Sequence, residues 1–300
     1  MKPKSPAPQS TPMAAMLLAA GRGERMRPLT DTTPKPLLPV RGKPLMQWHL
    51  EALARGGVQT VVVNTAWLGE QIADHFKHVL GLQPLSGMRE QLSNQDCLTL
   101  SYSHEGLDFG AALETAGGIV RALPLLCPPQ AQGSTAVDDA AGQVFWVLAG
   151  DVFTPDFTFA PSAVARFVAS GQLAHLWLVP NPAHNPRGDF GLDLSQATEV
   201  GIGRALNLSA DDSRPRYTYS TIGLYHRALF DMPLCAIPAG NPLGVKAALG
   251  PLLRAAMDQG RVSAELYTGP WTDVGTPERL NALNDVGSLG IFQNGTSPTP

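Results

Sequence analysis

An α/β fold, with a mixed and mainly parallel central sheet flanked by helices, is what this sequence predicts, and three observations predict it. Short apolar runs alternate with stretches of helical spacing through the first 180 residues, in a repeating order of strand, turn and helix. Those runs are almost unbroken in apolar and β-branched residues, as parallel strands covered on both faces are. After residue 190 strand-like segments follow one another with no long helix between them, which adds antiparallel members to the sheet.

Residues 13–19 (MAAMLLA) form the first strand, ended at Gly21. Residues 44–54 carry Leu45, Trp48, His49 and Ala52 at helical spacing, residues 58–64 (VQTVVVN) are a second strand, and 68–80 return to helical spacing. Strand 98–103, helix 115–126 and strand 144–149 (VFWVLA) come next, and helix 162–170 with strand 173–179 repeats the unit. Residues 190–194, 202–208 and 217–225 are the antiparallel part, and helices over 244–259 and 277–286 flank a short strand at 263–267. Turn-rich composition marks 83–95 and 128–143 as surface insertions, and the ends, 1–12 and 289–300, as disordered tails with little to bury.

Composition removes whole classes of function. With 300 residues, 44% hydrophobic and 16% charged, the chain is globular rather than disordered or coiled-coil. A net charge of −3 argues against coating nucleic acid or anionic membrane by bulk charge. No run of about 18 apolar residues offers a membrane span. Pro-rich sequence follows Lys2 and Lys4 where a signal peptide needs an apolar stretch. Cys97, Cys127 and Cys235 lie far apart with no CxxC pair, so reduced thiols in a cytoplasmic protein are expected rather than disulfides or a zinc site. None of the seven histidines makes a metal-binding spacing, and no GxSxG elbow supports a serine hydrolase.

The chemistry concentrates in the turn after the first strand, Leu18-Ala19-Ala20-Gly21-Arg22-Gly23-Glu24-Arg25-Met26-Arg27-Pro28-Leu29-Thr30. Glycines let such a turn bend tightly and bring backbone N–H groups close to a phosphate. It is not a P-loop, which needs Gly-Lys followed by Ser or Thr, nor a dinucleotide fingerprint, which needs glycine where Met26 stands. Arg22, Arg25, Arg27 and Lys35 nevertheless make it locally cationic in a net acidic chain with only six lysines. Pro34, Pro36 and Pro39 bracket Lys35, and we expect them to hold it in an extended frame at reduced entropic cost, as suits a lysine that meets a phosphate.

The run L-A-A-G-x-G-x-R-M-x-P-L-T followed by P-K-P-L-L-P-V resembles the signature of the sugar-1-phosphate nucleotidyltransferases, and the similarity extends through about residue 286. The resemblance implies a Rossmann-like (GT-A-like) α/β fold that joins an NTP to a sugar 1-phosphate. It implies one nucleotidyltransferase domain over 13–288, with a nucleotide-binding half to about 155 and a sugar-binding half beyond. Nucleotide binding then falls to Leu18, Ala19, Ala20, Gly21, Arg22, Gly23, Glu24 and Arg25, with Arg25 stabilising charge on the triphosphate. Lys35 contacts the phosphates of the reacting pair, so Arg25 and Lys35 are the catalytic cations.

Nucleotidyl transfer also needs a divalent metal, usually Mg²⁺ held by one or two carboxylates. Asp151 follows the apolar strand VFWVLA, and Asp273 stands in Trp271-Thr272-Asp273-Val274-Gly275-Thr276-Pro277; each alone reads equally as a loop acid. The family's order of G-D and W-x-D-V-G-T implies that both ligate Mg²⁺. Leu113-Glu114-Thr115-Ala116-Gly117-Gly118-Ile119 is by its residues a capped helix start. By resemblance it is the nucleobase segment, giving Glu114, Thr115 and Gly117, with Glu105 upstream and residues 107–111 inserted between them.

Within that family several details resemble the N-acetylmuramate-1-phosphate uridylyltransferase branch: Leu-Glu-Thr-x-Gly-Gly-Ile, Asn64-x-Ala66-Trp67-Leu68-Gly69, the 181–184 stretch (NPAH) leading to Arg187-Gly188-Asp189-Phe190, and the closing Trp271 motif. That likeness implies UTP and MurNAc 1-phosphate as substrates, in peptidoglycan recycling. It places Asp189, Tyr219, Ser220 and Thr221 at the sugar, where Asp189 reads otherwise as a turn residue and Tyr219 as a core aromatic. Lys246 stays open between the sugar phosphate and a helix-surface charge. The alternatives are a mannose-1-phosphate guanylyltransferase, a glucose-1-phosphate uridylyl- or thymidylyltransferase, and a non-catalytic NDP-sugar-binding subunit. The last predicts lost phosphate or metal residues, and none is lost.

Overall fold

The computed structural model describes residues 13–77, 98–128, 142–195 and 201–285. The two tails, the 83–95 insertion, most of 128–143, Cys97 and the end of the expected 68–80 helix lie outside the described residues.

The described chain begins with β1 (Ala14–Leu18), a short helix α1 (Leu29–Thr32), a small hairpin of β2 (Pro39–Val40) and β3 (Lys43–Pro44), and helix α2 (Leu45–Arg55). It continues through β4 (Thr60–Thr65), α3 (Gly69–Lys77), β5 (Thr99–His104), α4 (Glu105–Phe109), α5 (Glu114–Leu126) and β6 (Val144–Ala149). Then come β7 (Val152–Phe153), α6 (Pro161–Ser170), β8 (Ala174–Val179), β9 (Phe190–Asp193), β10 (Ile202–Leu206), β11 (Arg216–His226), α7 (Leu249–Asp258), β12 (Val262–Leu266), β13 (Thr272–Asp273) and α8 (Pro277–Asn284).

Nine strands form one sheet in the order β5-β4-β1-β6-β11-β8-β12-β10-β9. The first four are parallel; β11 runs antiparallel between β6 and β8, and β10 is antiparallel to both its neighbours. The expected mixture is therefore present, with its antiparallel members in the second half. β11 is long enough that its start, Arg216 and Tyr217, also pairs with β9.

The period of two explains the layering. Ala14 and Met16 face a core with Ile119, Phe145 and Leu253, beneath α5 and α7. Ala15 and Leu17 face the opposite core with Leu50, Phe76, Trp146 and Phe167, beneath α2, α3 and α6. A third, smaller core of Met26, Leu38, Val40, Leu45, Phe153, Val274 and Leu280 lies outside the sheet and matters for the site. Cys127 and Cys235 are free, buried thiols, and burial pushes the Cys127 thiol up to about 12. No helix among the described residues is long and apolar enough to cross a membrane.

Two elements differ from expectation for local reasons. Residues 105–109 form α4, a helix too short for apolar periodicity to show, with Leu107 facing solvent. The helix expected from 244 starts only at Leu249, because 241–247 braces the start of α5 instead. There Ala116 N donates to Ala247 O at 2.9 Å and Ala247 N to Leu113 O at 3.1 Å, while the buried Asn241 side chain bridges Gly117 O and Val245.

Candidate active site

The carboxyl ends of β1, β4 and β6 stop together, because Leu18 stands opposite Asn64 on one side and Ala149 on the other. Open α/β sheets bind ligands at this edge. Two adjoining cavities open there, of about 320 and 620 Å³, with Leu18, Ala149, Glu114 and Thr115 as their shared wall.

The turn after β1 is held from within. Gly23 takes a left-handed φ of 71°, and its carbonyl accepts the Thr30 hydroxyl at 2.9 Å. Met26 is fully buried beside Phe153 and Val274, which ties the turn to the third core. Arg22 lies 4.5 Å over the Trp67 ring and pairs with Glu24, and Arg27 pairs with Asp31 at 2.7 Å. Arg25 is exposed and makes no ion pair with any described residue, so its charge is uncommitted.

Lys35 is placed differently from the expected extended frame. It begins a single 3₁₀ turn, Lys35–Leu37, closed by Leu37 N donating to Pro34 O at 2.8 Å, with extended residues only on either side. The prolines supply those flanks, and the turn aims the side chain inward: Lys35 is 7% exposed and its Nζ lies 2.6 Å from Asp151 Oδ2. Asp151 itself is set by Gly150, whose N–H donates to Leu18 O at 2.8 Å in a space where a Cβ would lie 2.9 Å from that oxygen.

Asp151 and Asp273, 122 positions apart in the chain, meet on a two-stranded ribbon. β7 and β13 pair antiparallel with Asp273 opposite Val152, and Val274 N donates to Asp151 O at 2.9 Å. Asp273 Oδ2 is 2.9 Å from Arg279 Nη1 and 3.3 Å from His184 Nε2. Each carboxylate keeps its Oδ1 outside these ion pairs. Among the described residues no group of three or more His, Cys, Asp and Glu gathers to make a full protein cage. Asp151 lines the smaller cavity, whereas Asp273 lines neither cavity and is turned to Arg279 and His184. Both are hard oxygen donors of the kind Mg²⁺ accepts when phosphates complete its shell, so the donor chemistry fits that ion.

Of the expected nucleotide residues, Leu18, Ala19, Ala20, Gly21, Lys35, Glu114 and Thr115 line the smaller cavity together with Asp151. Arg22, Gly23, Glu24 and Arg25 stand on the turn beside it. Gly117 is not brought to the cavity: it is buried in α5, where a Cβ would lie 2.5 Å from Val245 O, so its smallness serves the packing of that segment. Asp189, Tyr219 and Thr221 line the larger cavity, but Ser220 does not. Ser220 is fully buried, with its hydroxyl donating to Trp177 O at 2.6 Å. A register shift in β11 between Tyr219 and Gly223 explains the split, since it turns Thr221 into a left-handed conformation (φ 68°) facing the cleft. Glu114, on the shared wall, is also left-handed at φ 60°. Two non-glycine residues in this region, one of them β-branched, mark strain held at a site by its surroundings. Asp189 accepts Tyr219 N at 2.8 Å and both carboxylate oxygens face Asn185 Nδ2, so its orientation is fixed. Lys246 is exposed, lies before α7 rather than on it, and lines neither cavity.

Arg279 and Arg254 carried no sequence signal of their own, and His184 and Asn64 stood in motifs without a role assigned to them. Arg279 and His184 reach Asp273 only through folding, and Arg254 enters the larger cavity from α7. Asn64 and Glu105 form a buried strut: Ala19 N donates to Asn64 Oδ1 (2.8 Å), Asn64 Nδ2 to Glu105 Oε1 (2.7 Å), and Leu113 N to Glu105 Oε2 (2.7 Å). It joins the turn after β1 to the start of α5, and burial holds the Glu105 carboxyl above its usual range. Asn64→Asp alone would set two carboxylates face to face, and Glu105→Gln alone would oppose two donors. The double variant N64D/E105Q reverses the middle bond and keeps all three. Each single variant should therefore lose about 1–3 kcal/mol of stability, and the double should recover most of it. Urea unfolding of the four proteins checks this; strictly additive losses would refute the strut.

The nucleotidyl transferase family pattern matches residues 14–286. The N-acetylmuramate alpha-1-phosphate uridylyltransferase of Neisseria meningitidis serogroup B is 45% identical over 271 residues, which cover 89% of this chain and 95% of that protein. A protein of the same name from Caulobacter vibrioides is 38% identical over 117 residues, 38% of this chain and 41% of that one. The crystal structure of a UDP-glucose pyrophosphorylase complexed with UDP-glucose superposes with a TM-score of 0.62 over 91% of this chain and 97% of that one, at 17% identity, a likeness of fold.

Proposed function

The chain belongs to the nucleotidyl transferase family, and from that premise we propose that it transfers UMP from UTP to N-acetylmuramic acid 1-phosphate, giving UDP-MurNAc and pyrophosphate. The observation that carries this reading is the 45% identity with the Neisseria uridylyltransferase along nearly the whole length of both proteins. In this reading the nucleotide lies in the half up to about residue 155, the sugar in the remainder, and the reaction belongs to peptidoglycan recycling in the cytoplasm, where UTP is kept.

The chemistry needs no protein nucleophile. A phosphate oxygen of the sugar 1-phosphate, already anionic at neutral pH, attacks the α-phosphorus of UTP; the bond to the bridging oxygen of the β-phosphate breaks and pyrophosphate leaves in line. The obstacle is bringing two anions together, so positioning and charge neutralisation are what the residues supply. Lys35, held by Asp151 at 2.6 Å, presents an ammonium to the smaller cavity. Arg25 offers an uncommitted guanidinium on the turn, and the Ala19 to Gly21 backbone lines the triphosphate's side. Asp151 and Asp273 would hold a magnesium ion, which when bound screens the phosphate oxygens. Arg279 and His184 orient Asp273 for that task. The shared wall at Leu18 and Ala149 is where the two reacting phosphates come into line.

A panel of UTP, GTP, CTP and dTTP against MurNAc, GlcNAc, glucose and mannose 1-phosphates, with Mg²⁺ and pyrophosphate release as readout, tests the reading. Turnover should be greatest with UTP and MurNAc 1-phosphate. Greater turnover of glucose or mannose 1-phosphate would replace it with one of those activities.

A further inference from the structure

The larger cavity contains a cation that nucleotidyl transfer itself does not require. Arg254 projects from α7 into the wall formed by Asp189, Phe190, Tyr219, Leu249, Gly250 and Leu253. Its guanidinium lies 5.1 Å over the Phe190 ring, and Nη1 donates to Asn207 Oδ1 at 2.7 Å. Nη2 reaches only the backbone oxygen of Asp189, at 3.5 Å. No described carboxylate pairs with it, although Asp189 is a neighbour whose own oxygens are turned to Asn185 and Tyr219. A guanidinium has five N–H donors in a planar fork, so a half-buried Arg254 retains donors for a ligand in the cavity, which Asp189 and Glu114 also line.

A second feature of the same wall has the same sign. Helix α7 starts after Ala248 with no side chain capping its first turn, and Ala248, Leu249 and Gly250 line the cavity one turn before Arg254. Uncapped amides and a helix's positive end favour an anion. The 1-phosphate cannot be that anion while it reacts. It must sit at the shared wall beside Lys35 and Asp151, which line the smaller cavity and not this one. What reaches Arg254 is the far side of the sugar.

We propose that Arg254, backed by the uncapped start of α7, receives the lactyl carboxylate of N-acetylmuramic acid 1-phosphate and so sets the choice of that sugar over N-acetylglucosamine 1-phosphate. This rests on the uridylyltransferase reading above. The two sugars differ only in the lactyl ether, so the carboxylate is the one charge that separates them. A bidentate Arg–carboxylate contact in a partly desolvated pocket distinguishes the charged ligand from the neutral one.

The experiment measures kcat/KM for both sugar phosphates at saturating UTP and Mg²⁺, in wild type, Arg254→Met and Arg254→Lys, below the melting temperature of each. The ratio favouring MurNAc 1-phosphate should fall about 10- to 100-fold in Arg254→Met, chiefly through KM, and by less in Arg254→Lys, which keeps charge without the fork. Calorimetric titration of the products supplies a second readout: Arg254→Met should weaken UDP-MurNAc and leave the two products closer in affinity. An equal loss for both sugars, or an unaltered ratio, overturns the assignment of Arg254 while the uridylyltransferase reading stands. A wild-type enzyme that turns over neither MurNAc 1-phosphate nor binds UDP-MurNAc overturns the reading itself.

Discussion

Replacing Lys35 by Met should lower kcat by about 10²- to 10³-fold, the loss seen when one preorganised charge donor is removed from a transition state, while the chain stays folded. The geometry supports so large an effect. Lys35 is almost fully buried, its turn is closed by Leu37 N to Pro34 O, and its ammonium is already 2.6 Å from Asp151 before any substrate arrives. A charge held in place needs no reorganisation as the reaction proceeds. Met fills a similar volume, and the Asp151 side chain left behind is 40% exposed, so water can reach it and the cost to folding is modest. Initial rates of pyrophosphate release, with a melting curve beside them, decide the matter. A kcat within threefold of wild type would remove Lys35 from the chemistry.

The second large effect belongs to the ribbon. Asp151→Asn and Asp273→Asn should each raise the Mg²⁺ concentration needed for half-maximal rate and lower kcat at saturating Mg²⁺ by about 10²-fold or more. The reason is shared ligation: with two hard carboxylates on neighbouring rungs, loss of either leaves one charged donor for the ion. Because both would act on one ion, the double variant should lose less than the product of the two single losses. Asp273→Asn also leaves Arg279 and His184 without the anion they face, so a partial rearrangement there is expected, and Asp151→Asn is the cleaner variant. Direct titration of Mn²⁺ into the enzyme with UTP, followed by its magnetic resonance signal, reads the ion without reading turnover. Affinity and rate that both resist the substitutions would show that the ion, if required, is held elsewhere.

The nearly continuous apolar strands predicted the parallel half of the sheet, and the loss of long helices after residue 190 predicted its antiparallel members. Most element boundaries lie within two residues of expectation because apolar periodicity and Gly or Pro punctuation are local properties. Where the reading went astray, a non-local contact had overruled the local pattern. Residues 244–248 look helical by spacing, yet their backbone groups pair with Leu113 and Ala116 and brace α5. Ser220 looks like its neighbours Tyr219 and Thr221, yet the shift of register in β11 hides its hydroxyl under Trp177 O. Gly117 belongs to a motif that suggests a ligand, and its missing side chain instead admits Val245.

By itself the sequence determined which residue types stand at the edge of the sheet: a glycine-rich cationic turn, a lysine between prolines, and one acid after VFWVLA. These are statements about neighbours in the chain, where strand, turn and rigid backbone leave few choices. Only the tertiary structure decided that Asp151 and Asp273 share a ribbon, that Lys35 rather than Arg22 or Arg27 is buried against that ribbon, and that Arg254 faces the larger cavity. Those facts depend on strand pairing and helix packing between segments far apart in the chain. Such pairings are selected by the burial of whole faces, a property that no short stretch of sequence contains.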